Sequence, residues 1–128
     1  MIEKEVQEAL NLSLDKFGGS VIEFTVCPRV SDQTQLSRHE WFVEFRSKPL
    51  DLVGFEKSLN STMMKQNPYY KDLVDSGVIS PIKLFIVKIG GFNAYMKSIG
   101  KFGGQNKCPH LSNERDIGDF LLKNYVES

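Results

Sequence analysis

The segment His39-Glu40-Trp41-Phe42-Val43-Glu44-Phe45-Arg46 alternates: Trp41, Val43 and Phe45 share one face of an extended chain, and Phe42, Glu44 and Arg46 share the other. Side chains of a strand point to opposite faces in turn, so a strand is predicted here. Just upstream, Val21 to Cys27 sets Ile22, Phe24 and Val26 against Glu23, Thr25 and Cys27, the pattern of a half-buried strand. Pro28 to Ser37 is polar and loop-like, and the two strands are expected to pair antiparallel across that long connection.

Helical spacing takes over on either side. Ile2, Val6, Ala9, Leu10, Leu14 and Phe17 lie on one stripe, which Gly18-Gly19 stops. Pro49 and Asp51 open a helix with Leu52, Phe55, Leu59 and Met63 on one face; Asn67-Pro68 closes it, and Tyr69 to Val74 forms a further short helix. Pro81 precedes Ile82 to Ile89, the most apolar β-rich run, which reads as the central strand. Phe92, Tyr95, Met96 and Ile99 make a short helical stripe. After the loop Gly100 to Leu111, a last helix starts near Asn113 with Ile117, Phe120, Leu121 and Tyr125 facing inward. The order α-β-β-α-α-β-α-α predicts the α+β class, with a small three-stranded mixed β-sheet flanked by helices.

A length of 128 residues, 41% hydrophobic and 25% charged, fits a single domain, 1–128, with one core and no internal repeat. Sixteen basic and sixteen acidic side chains cancel, so net charge points to neither nucleic acid nor membrane as a partner. The distribution is uneven: between Ser76 and Asn113 there is no Asp or Glu, while Lys83, Lys88, Lys97, Lys101 and Lys107 fall there. A basic side that suits an anionic partner or an acidic neighbouring domain is expected. Cys27 and Cys108 form no disulfide framework and read as reduced thiols. With a polar start and no membrane-length apolar run, the expected location is cytoplasmic.

Chemistry concentrates between Met96 and Pro109, where three glycines, three lysines and two amides meet no acid. Glycines let backbone N–H groups approach an anion, and an ammonium adds a point charge for phosphate or carboxylate. The spacing does not match the GxxxxGK[ST] phosphate cradle. From the residues alone, an anion-binding loop and a solvated surface turn both remain open.

Lys97-Ser98-x-Gly100-Lys101-x-Gly103-Gly104-Gln105-x-Lys107-x-Pro109, followed by Leu111-Ser112-Asn113, closely resembles the C-terminal signature of the auxin-responsive acyl acid–amido synthetases, in the version of their bacterial relatives. Val6 to Phe17 followed by Glu23-Phe24-Thr25 resembles the family's entry into its C-terminal domain. His39 to Phe45 resembles its next strand, and Leu59-Asn60 through Asn67-Pro68-Tyr69-Tyr70 a segment where the family has Leu-Asn and Asn-x-Tyr close together. The resemblance spans essentially the whole chain.

It implies an adenylate-forming ligase. Such enzymes activate a carboxylic acid with ATP, with Mg2+ on the nucleotide, and pass the acyl group from AMP to an amine, usually an amino acid. A large N-terminal adenylation domain carries most of both pockets, and a small C-terminal domain rotates over it to deliver a lysine. The resemblance assigns that lysine to Lys107, with Lys101 second, and gives Gln105 and the Gly103-Gly104 amides a part in positioning the nucleotide. Cys108 and His110 depart from the family pattern, the latter where relatives commonly carry Arg, so no second cation is assigned there. Alone, a chain of this size is expected to bind ATP weakly and catalyse nothing; a piece of a longer polypeptide is favoured over a partner domain on a separate chain.

Other constellations weigh less. Cys27, His39, Cys108 and His110 contain no C-x₂₋₄-C, and Cys108-x-His110 is too tight for a usual zinc pair, so no metal site is assigned. A Cys–His nucleophile lacks an orienting third group. Trp41 and the strand aromatics read as core and not as base-stacking platforms. Glu3/Glu5 and Asp72/Asp75 read as solvated helix faces, and Tyr69 and Tyr70 as buried rings capping a helix pair. The alternative from another class is a stand-alone regulatory module whose basic loop binds an anion or an acidic protein surface. Such a module would bind its ligand unaided, whereas a swinging domain would gain affinity only beside its large partner.

Overall fold

The computed structural model describes residues 2–29, 36–100, 109–112 and 114–127. Its elements are α1 (Glu3–Phe17), β1 (Ser20–Arg29), β2 (Arg38–Ser47), α2 (Leu52–Gln66), α3 (Pro68–Asp75), β3 (Lys83–Ile86), α4 (Gly91–Ser98) and α5 (Asp116–Asn124). The expected order and the α+β mixed sheet are both present. β1 and β2 run antiparallel, with Phe24 opposite Val43 and Val26 opposite Trp41, and β2 and β3 run parallel, with Trp41 opposite Leu84. Among the described residues no helix is long and apolar enough to cross a membrane.

Helices cover both faces of the sheet. Trp41, Val43 and Phe45 join Phe24 and Val26 in a core closed by Val6, Ala9 and Leu10 of α1 and Phe55, Leu59 and Met63 of α2. On the other face Phe42 and Cys27 pack with Phe92 of α4 and with Ile117 and Leu121 of α5. The alternation read in β2 is therefore correct, but both of its faces are buried, and this makes β2 the central strand. The expectation that Ile82–Ile89 holds the centre is overturned. β3 is a four-residue edge strand with Lys83 exposed, and Ile89 is exposed beyond it.

β3 is apolar for its length, yet its outer edge is closed by polar groups. Asn60 Oδ1 accepts from the Ile82 amide at 3.3 Å and Glu56 Oε2 from the Leu84 amide at 2.8 Å. The C-terminal stretch then donates the Glu127 amide to Ile86 O at 2.8 Å and accepts the Lys88 amide on Tyr125 O at 2.6 Å. An uncovered edge is a template for another strand, and these contacts remove it.

Two further readings change. Ile22 faces solvent, because Val21 pairs with Phe45 and Glu23 with Glu44, leaving Ile22 as an extra residue in a bulge. Val21 takes the inward place instead. Of the two tyrosines only Tyr70 is buried; Tyr69 is exposed. Tyr70 donates its hydroxyl to Asn60 Oδ1 at 2.7 Å, and Asn67 caps α3 by accepting the Tyr70 amide at 3.0 Å. Glu5 is more than a solvated acid: it accepts from the Ile2 amide at 3.0 Å, covering an unpaired donor of the first turn, and from Asn67 Nδ2 at 3.3 Å.

A buried ion cluster fixes α5 to the sheet. Glu40, 2% exposed, accepts from Arg38 Nε and Nη2 at 3.0 and 2.8 Å on one oxygen and from Arg115 Nη1 at 2.6 Å on the other. Arg115, at the N-cap of α5, also reaches Pro28 O at 3.1 Å and Asp119 Oδ1 at 2.9 Å. Burial works against the Arg115 charge, but hydrogen bonds to Glu40 and Asp119 outweigh it and hold the guanidinium above its ordinary range. A carboxylate taken out of water costs several kcal/mol, and two guanidiniums filling its lone pairs offset that cost. Glu40→Ala removes the carboxylate that Arg38 and Arg115 share, leaving Arg115 to Asp119 and Pro28 O, and is expected to lower unfolding free energy by about 3 kcal/mol. Urea denaturation measures this; a midpoint unchanged from wild type would contradict the role given to the cluster.

His39 lies on the α3 side, tilted against Tyr70 with ring centroids 5.6 Å apart, and its buried Nδ1 has no hydrogen-bond partner among the described residues. Burial pushes its pKa below the ordinary 6.5. The unfolded chain takes up that proton more readily, so stability is full above the unfolded pKa and declines as pH falls through it. Thermal melts between about pH 7.5 and 5.5 should show the decline, and His39→Phe, which keeps a ring and removes the titration, should flatten it. An equal slope in the variant would assign the decline to other groups.

Candidate functional site

The residues singled out in the glycine–lysine stretch, Lys101, Gly103, Gly104, Gln105 and Lys107, lie outside the described residues, as does Cys108. The structure does describe the two roots from which that stretch departs and to which it returns. Both roots are built on β1 and β2.

The departing root is α4. Its N-terminus presents unpaired amides over the second face of β2, where Glu44 is buried at 3% exposure. Glu44 accepts from the Gly90 amide at 3.1 Å and the Phe92 amide at 3.2 Å. A carboxylate at that end of a helix also meets the positive pole of its dipole. Gly90 sits at φ 94°, a left-handed turn that suits glycine, and so aims these amides at the acid. At the other end Ser98 Oγ donates to Tyr95 O at 2.6 Å, and Gly100, at φ 75°, turns the chain out of the helix.

The returning root, Pro109 to Ser112, is strapped along β1. Thr25 Oγ1 donates to Pro109 O at 2.6 Å, the Val26 amide to His110 O at 3.0 Å, and the Ser112 amide to Val26 O at 2.9 Å. Leu111 thereby makes a parallel bridge to Val26. His110 lays its ring on Phe24 with centroids 4.2 Å apart and places Nε2 3.0 Å from Glu23 Oε1. The roots meet at a cleft of about 210 Å³, where Tyr95, Met96 and Ile99 of the first face Pro109 and Ser112 of the second.

The frame thus brings the two ends of the stretch to one place. It does not bring Cys27, His39 and His110 together: Cys27 is in the α4–α5 core, His39 beside Tyr70, and His110 over Phe24. Burial raises the Cys27 pKa above the ordinary 9.0 and keeps the group a thiol. Among the described residues no group of three or more His, Cys, Asp or Glu is arranged to hold a metal ion. Glu40, Glu44, Arg115 and the Glu23–His110 pair were not anticipated. Two acids flanking Phe42 on one face of an aromatic-rich strand were the available signal, because buried acids demand partners.

Residues 4–116 match the family model described as the GH3 family C-terminal domain. Among solved structures, a GH3.15 acyl acid amido synthetase superposes with a TM-score of 0.77 at 18% identity, over 99% of this chain and 25% of that one. AtGH3.15 acyl acid amido synthetase in complex with 2,4-DB superposes with a TM-score of 0.76 at 18% identity, over 98% and 24%. The chain therefore spans about a quarter of the length of these structures, and at such identity the likeness establishes the fold. No curated protein sequence matches the chain. With the family model covering the sheet, four of the helices and the stretch between the two roots, this chain belongs to the GH3 family, as a C-terminal domain of that family.

Proposed function

We propose that this chain is the mobile C-terminal domain of a larger ATP-dependent ligase, which joins a carboxylic acid to AMP and then transfers the acyl group to an amine such as an amino acid. The observation that carries the reading is the family match across residues 4–116, which includes the glycine–lysine stretch. Its partner is a large N-terminal adenylation domain holding most of the nucleotide and acid pockets, and the reaction takes place in the cytosol.

In adenylation a carboxylate attacks the α-phosphate of ATP, so two anions must be brought into contact. Lys107 supplies an ammonium between them and stabilises charge that concentrates in the transition state. Lys101 acts as a second cation on the phosphates, and Gln105 with the Gly103 and Gly104 amides holds the nucleotide. Mg2+ would accompany the nucleotide and offset charge on its phosphates. Strapping both roots to one sheet gives the lysine a defined platform, since small displacements of a catalytic group cost large factors in rate.

In the full-length protein, Lys107→Ala is expected to slow adenylation by about 10²–10³. The check is pyrophosphate release from ATP with whichever acid of an aryl and alkyl carboxylate panel turns over fastest. An unchanged rate would remove Lys107 from the chemistry. The reading also requires a native product several times heavier than 14.6 kDa on an immunoblot of source cells. A band at 14.6 kDa that binds an anion unaided would favour the stand-alone module.

A further inference from the structure

We draw no further inference here: the strongest candidate, the cleft of about 210 Å³ on the α3 side lined by His39, Asn67, Tyr69, Tyr70, Leu73 and Ile79, is a largely apolar surface patch, and nothing among the described residues shows what covers it.

Discussion

Two carboxylates buried on the second face of β2 set the terms for everything above that face. Glu40 and Glu44 flank Phe42, and each is almost inaccessible to water. A buried acid without partners is not tolerable, so the surrounding chain must bring donors to these points. Glu44 draws the amino end of α4, and Glu40 draws Arg115 at the start of α5. Apolar packing of Phe42 with Phe92, Ile117 and Leu121 supplies attraction but little direction. The carboxylates supply the direction. They fix where each helix begins, and so where the stretch between the helices starts and stops.

The same strand explains what could be read from sequence and what could not. Alternation in β2 assigned its faces correctly, because a period of two is a property of the strand itself. Its central position was not legible, since hydrophobicity marks burial and does not distinguish a middle strand from a covered edge. Ile82–Ile89 looked central because it is apolar, yet β3 is covered at its edge by Asn60, Glu56 and the C-terminal backbone, contributions from distant parts of the chain. Ile22 was misplaced because a bulge shifts inward and outward positions by one residue, and nothing in Val21-Ile22-Glu23 announces it. Helix boundaries fared better. Gly18, Asp51 and Asn67 act locally, and Asp51 and Asn67 cap α2 and α3 with their side chains.

Resemblance to the amido synthetases rested on several segments, and the structure gives some of them a mechanical meaning. Leu59-Asn60 and Asn67-Pro68-Tyr69-Tyr70 belong together because Asn60 accepts both the Tyr70 hydroxyl and the Ile82 amide, while Asn67 caps the helix that carries Tyr70. These residues join α2, α3 and the approach to β3; no reacting group is needed to explain them. His39 to Phe45 likewise encodes the central strand. The glycine–lysine stretch combines cations, amides and glycines, a composition that points to an anion. Its candidates come from residue chemistry and the resemblance and lie outside the described residues, whereas the frame on either side depends on contacts between residues as distant in sequence as Glu40 and Arg115.

That division bears on how such a domain can work. A lysine side chain is long and its ammonium is strongly hydrated, so ordering it over an anion costs rotamer entropy that the protein must limit elsewhere. Both roots of the stretch are bound to the same two strands: α4 through Glu44 on β2, and Pro109–Ser112 through Thr25 and Val26 on β1. Because β1 and β2 pair along their whole length, the two roots cannot move apart without breaking the sheet. A body built this way can be displaced as a unit while the separation of its roots stays fixed. Under the proposed function, motion of the whole domain and a fixed separation of the two roots are then compatible demands.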